Sequence, residues 1–233
     1  MALLLSIETS TNVCSVALHR ESNLIAFQEN RIPQTTASQL AVLVDKVFQE
    51  AGVKPASLQG VVVAAGPGSY TGLRIGVATA KGLCFALHIP LLSVNTLELL
   101  AYQVSANLNS YGNFNESEVL LCPMLDARRM EVYCMITNRQ LQSIEPTQAK
   151  IVEPGSFHNF LVQPILFFGD GAAKCEGVIN HPNAHFIRGI LPSAAQLGVM
   201  GFQKYKRSEF EDLPTYEPFY LKDFVIKKPK SVS

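Results

Sequence analysis

Tryptophan is absent from the 233 residues, charged residues make up only 16%, and nineteen acidic side chains cancel nineteen basic ones. A balance this even leaves no whole-chain electrostatic footprint for a nucleic-acid backbone. The stretch 222–230 is locally basic and reads as a solvated tail. No Cys-x-x-Cys pair occurs. Cys14, Cys84, Cys122, Cys134 and Cys175 are odd in number and scattered, which argues against a disulfide framework and suits reduced, mostly buried thiols of a cytoplasmic protein. No apolar stretch reaches membrane-spanning length without glycine, charge or proline, so no membrane partner is expected. The start, Met1-Ala2-Leu3-Leu4-Leu5, has no basic region and meets polarity at Ser6 and Glu8, so no signal peptide is expected either. What is present is 48% apolar residues, enough for one large domain or two small ones.

The most informative segment is Gly66-Pro67-Gly68-Ser69-Tyr70-Thr71-Gly72-Leu73-Arg74-Ile75-Gly76. It follows the buried-strand pattern Val61-Val62-Val63-Ala64-Ala65 and leads into a helical stretch, residues 73–87. Such a glycine turn offers a helix N-terminus to an anion or to a neighbouring backbone. Known motifs do not fit it. A phosphate-cradling loop needs a Gly-Lys-Ser/Thr ending, and no lysine precedes Lys81. A nucleophile elbow needs glycines where Pro67 and Thr71 stand.

Strands are predicted at 3–7, 13–18 and 24–28, the first two around the turn Glu8-Thr9-Ser10-Thr11-Asn12. Leu40, Leu43, Val44, Val47, Phe48 and Ala51 then recur at helical spacing over 36–51, with Gly52 as the stop. In the helix after the glycine turn, Gly72, Gly76 and Ala80 form one small-residue row and Ala78, Gly82 and Ala86 another. Glycines inside a helix imply a close neighbour, either this lobe's own elements or another chain. A strand at 90–94 and a helix at 96–108 follow, then the polar run 109–116, the best domain boundary. Beyond it the opening recurs: strand 119–125, turn Asp126-Ala127-Arg128-Arg129, strand 131–137. A short helix at 157–162, a strand at 165–168, Gly169-Asp170-Gly171, a helix at 172–179 and a last helix capped by Ser193 complete the pattern. Two halves that both open with a hairpin predict a duplicated α/β fold: residues 1–106, a linker at 107–118, and a smaller lobe at 119–233 whose last helix packs near the junction.

Ile7-Glu8-Thr9-Ser10, the segment 66–76, Asp126-Ala127-Arg128-Arg129-x-Glu131-Val132-Tyr133, Gly169-Asp170-Gly171-Ala172 and Pro218-x-Tyr220-Leu221-Lys222 together resemble the TsaB (YeaZ) family over nearly the whole chain. The resemblance implies a two-lobed actin-like ATPase (acetate kinase, sugar kinase, Hsc70 and actin) fold. It also implies the role of a dimerisation subunit in tRNA threonylcarbamoyladenosine modification. The implied partners are a TsaD-like catalytic paralogue, a TsaE-like ATPase and a second copy of the chain, with tRNA reached only through the complex. In that superfamily the turns holding Glu8, Thr9 and Ser10 and holding Asp126 face nucleotide phosphates, and Gly169 to Gly171 face the adenosine. Here those residues are compatible with a vestigial cleft of weak nucleotide affinity, or with turns satisfied by their own backbone.

The catalytic paralogue carries His-x-x-x-His on its first long helix, and the first of those positions falls near Thr36. No histidine occurs at 34–44, so neither a metal nor a catalytic residue is expected. His181 and His185 share that spacing, but Pro182 and Asn183 favour a turn. The partner-binding face is expected on the helices at 36–51 and 73–87, through Leu40, Leu43, Val47, Gly72, Gly76 and Ala80. The alternatives to a scaffold are a small actin-like ATPase or kinase and, more remotely, a peptidase.

Overall fold

A computed structural model of the chain describes residues 1–112, 114 and 119–222. The chain forms two five-stranded sheets with one topology. In the first, β1 (Leu3–Glu8) pairs antiparallel with β2 (Cys14–Arg20), and β2 with β3 (Asn23–Asn30). On its other side β1 runs parallel to β4 (Gly60–Gly66), and β4 to β5 (Leu91–Asn95). In the second sheet β6 (Leu120–Asp126), β7 (Glu131–Asn138), β8 (Ser143–Ile151), β9 (Ile165–Phe168) and β10 (Ala184–Ile187) repeat those pairings in the same order and sense. The duplicated halves read from the sequence are thus present as a repeated sheet.

Strand alternation sorts the core into layers. Leu3, Leu5 and Ile7 face α1 (Thr36–Ala51) and α2 (Tyr70–Leu87). Leu4, Val62 and Val94 face the opposite way, towards α3 (Thr96–Ala106) and α4 (Ala194–Lys206). The third helix is shared between the sheets. Its Leu99 packs on the first, while Leu97, Leu100 and Val104 pack with Leu121, Leu125 and Phe168 of the second. Asn95 caps it, its side chain accepting from Leu97 N–H at 2.8 Å.

Three expectations need correction. The last helix belongs by packing to the first lobe, where it covers β1 and β2 rather than lying in the second. The structure has turns at 157–162 and one short 3₁₀ segment, Ala173–Cys175, where helices were expected. Gly155, Pro164 and Gly177 leave those apolar runs too short for stable α-helices. The strand β8 was not foreseen. Part of the proposed linker, residues 113 and 115–118, and the tail after 222 lie outside the described residues.

Candidate functional site

The glycine segment joins β4 to α2 and seats on the β1–β2 turn of its own lobe. Ser69 N–H donates to Ser10 O at 2.6 Å, and Thr9 Oγ1 donates to Gly72 O at 2.8 Å. A side-chain carbon at Gly68 would collide with Ser10, and one at Gly72 or Gly76 would collide with Thr9. The helix N-terminus is therefore filled by a threonine-bearing turn. Gly66 itself has φ +108°, and a Cβ there would stand 2.7 Å from Phe219 O. Its counterpart at the end of β9, Gly169, has φ +103°, and Gly171 presses on Leu125 and Asp126 as Gly68 presses on Ser10. The two halves repeat this detail too.

Glu8 ends β1 fully buried. Its Oε1 accepts from both the Ser10 N–H and the Ser10 hydroxyl at 2.6 Å. Among the described residues its Oε2 has no hydrogen-bond partner. Burial pushes its carboxyl up to about 7, against the lowering effect of the Ser10 bonds, and the nearby Asp170 carboxylate adds to the rise. Within the second lobe, Asp170 Oδ1 accepts from Asp126 N–H at 2.9 Å, and Asp126 Oδ1 accepts from Arg128 N–H at 2.8 Å. Lys174 bridges Asp126 to Glu131 O. Desolvation of its carboxyl raises the Asp170 pKa, although the residue as a whole is open to solvent.

Glu8, Thr9 and Ser10 lie at the β1–β2 turn of the first lobe and Asp126, Gly169 and Gly171 at turns of the second, where Asp170 comes near enough to Glu8 to act on its carboxyl. Three donors at these turns are already engaged. Ser10 N–H is held by Glu8, Arg128 N–H by Asp126, and the ammonium of Lys174 by Asp126 and Glu131.

The six residues expected to meet a partner lie inside the first lobe. Leu40, Leu43, Val47 and Ala80 are core residues, and Gly72 and Gly76 are buried against Thr9. The close neighbour that the glycines require is the β1–β2 turn. The outward row of α2 is the other one: Ala78, Gly82 and Ala86 are exposed, beside Phe85 at 74%. On α1, Ala41 and Val42 are exposed as well. His181 takes part in a turn, its Nδ1 accepting from Asn183 N–H at 3.1 Å, while His185 packs against Phe114. Among the described residues no group of three metal-ligating side chains occurs, and no helix is long and apolar enough to cross a membrane.

Sequence reasoning missed the path of the C-terminal strap. Lys81 Nζ donates to Pro214 O and Tyr216 O at 3.2 and 3.0 Å, and Phe219 N–H donates to Ala65 O at 2.7 Å. Tyr220 lies against Tyr70 with the rings tilted by 38° and their centroids 5.0 Å apart, and Lys222 reaches Glu131 in the second lobe. The signal was the Pro218-x-Tyr220-Leu221-Lys222 motif, whose partners lie too far away in the chain to be read.

Two sheets of one mixed topology that share a helix packed between them define the actin-like ATPase class of fold. A family model described as TsaD, tRNA N6-adenosine threonylcarbamoyltransferase, matches residues 32–161. The tRNA threonylcarbamoyladenosine biosynthesis protein TsaB of Bacillus subtilis is 30% identical, over 94% of this chain and 93% of the relative. The protein of the same name from Escherichia coli is 26% identical, over 97% and 96%. The solved structure of YeaZ from Pseudomonas aeruginosa is similar with a TM-score of 0.78 at 28% identity, covering 95% of this chain and all of that one. The chain belongs to the TsaB family, which serves tRNA threonylcarbamoyladenosine biosynthesis.

Proposed function

We propose that the chain is a non-catalytic dimerisation subunit that pairs with a TsaD-like catalytic paralogue. The exposed row Ala78, Gly82 and Ala86 carries this reading. Small residues one turn apart let another helix approach closely, and Phe85 beside them supplies apolar area. In isolation the same patch joins two copies about a two-fold axis, and the paralogue, built on the same fold, displaces one copy. A TsaE-like ATPase completes the cytoplasmic assembly.

The turns favour this scaffold over a small ATPase or kinase, since Ser10 N–H, Arg128 N–H and the Lys174 ammonium are engaged within the chain. The purified chain is expected to carry no stoichiometric metal and to hydrolyse no ATP. Gly82→Leu decides the matter, because a Cβ there meets nothing within 4 Å in the monomer. Melting should stay unchanged while light scattering and co-purification show loss of both pairings. A Gly82→Leu chain that still pairs with itself and with the paralogue would refute the placement, and steady ATP turnover by the chain alone would refute the scaffold.

A further inference from the structure

Arg128 and Arg129 sit side by side at the tip of the β6–β7 hairpin with φ of 71° and 45°. Two consecutive left-handed residues form a turn that asparagine and glycine enter without strain. The turn gives no reason for arginine; the exposed side chains do. Among the described residues neither guanidinium makes an ion pair. The carboxylates of the same hairpin are already matched, Asp126 by Lys174 and Glu131 by Lys222.

Lys222 also brings the strap to this hairpin, and with it two exposed rings. Phe219 and Tyr220 are 44% and 36% exposed. Tyr220 leans on Tyr70, over whose ring Arg74 lies 5.3 Å from the centroid. Cations and aromatic faces therefore follow one another from α2 to the second lobe.

We infer that this border contacts single-stranded RNA: unpaired bases of a loop stack on Tyr220 and Phe219, and its phosphates take Arg128 and Arg129. Ring faces accept any base, and guanidinium forks match phosphate oxygens. An acidic peptide would satisfy the arginines and leave the rings uncovered. The inference rests on the family's place in tRNA modification and departs from the expectation that RNA is reached only through the complex, by giving this chain its own contact with it. The chain is neutral overall, so the contact is local and sensitive to salt.

Fluorescence anisotropy of the full chain alone at low salt, with a labelled RNA hairpin bearing an unpaired loop, tests it. The double variant Arg128→Ala/Arg129→Ala should bind about tenfold more weakly, and its log–log salt slope should fall by about two. Tyr220→Ala should weaken binding with the slope unchanged, and circular dichroism checks that each variant folds. No binding by the wild-type chain, or affinity unchanged in either variant, overturns the inference. Displacement of the RNA by millimolar ATP overturns it too, because the arginines would then serve a free nucleotide. No partner subunit enters this assay, so its failure is distinct from failure of the Gly82 pairing test.

Discussion

Thr9 and Gly72 are fastened to each other: the threonine hydroxyl donates to the glycine carbonyl, and the glycine has no room for a methyl group because the Thr9 carbonyl is already there. This pair sets how closely α2 lies on the first hairpin, and so where the outward row of that helix points.

Gly72→Ala should therefore act on the monomer. Overpacking against backbone is expected to lower stability by about 1–3 kcal/mol, with self-association unchanged in the molecules that remain folded. Urea titration with light scattering on the same sample checks this, and it gives the opposite pattern to Gly82→Leu.

Glu8 should make stability depend on pH. Burial raises its folded pKa to about 7 from 4.5, so between those values the folded chain holds more protons than the unfolded one. The Glu8 contribution is complete below the lower value and is lost as pH rises through the upper. Glu8→Gln should flatten that slope and raise stability above neutral pH by up to about 3 kcal/mol. Identical urea midpoints for the two proteins across the window would contradict the burial argument.

The contact of α4 with β2 offers a third test. His19 Nε2–H donates to Ala195 O at 2.8 Å, Ser15 Oγ accepts from Ala194 N–H at 3.0 Å, and Gly198 lies directly against the His19 ring. Gly198→Ala would push a methyl into the imidazole and should cost about 1–3 kcal/mol, read as a lower melting temperature.

Lys81→Met removes the two bonds that hold the strap at Pro214 and Tyr216. Loss of such charge-assisted bonds is expected to cost about 1.5–3 kcal/mol, concentrated in the strap. Amide exchange at residues 213–220 should quicken while β1 and β4 keep their protection. Uniform exchange across the chain would show that the strap has no separate opening.

Much of the fold was legible because periodicity reports burial directly. The unbroken apolar run 61–65 announced a buried strand, and the α1 stripe announced its helix with the correct bounds. Ser143–Ile151 escaped notice because an edge strand with Pro146, half open to solvent, carries little apolar alternation. The two small-residue rows of α2 look alike in sequence. Which one is buried depends on Thr9, some sixty residues earlier, so the row chosen for a partner was the inward one. The turns at Glu8 and Asp126 were readable as one site only through resemblance, since the nearness of Asp170 to Glu8 arises from two lobes meeting.

The position of α4 has a consequence for how the chain is made. The first sheet's even-numbered face, with Leu4, Val62 and Leu92, is covered in part by Leu197, a residue translated after the whole second lobe. The opening half cannot complete its core on the ribosome while it waits for that helix. A nascent chain halted before residue 194 leaves that apolar surface uncovered and prone to aggregate.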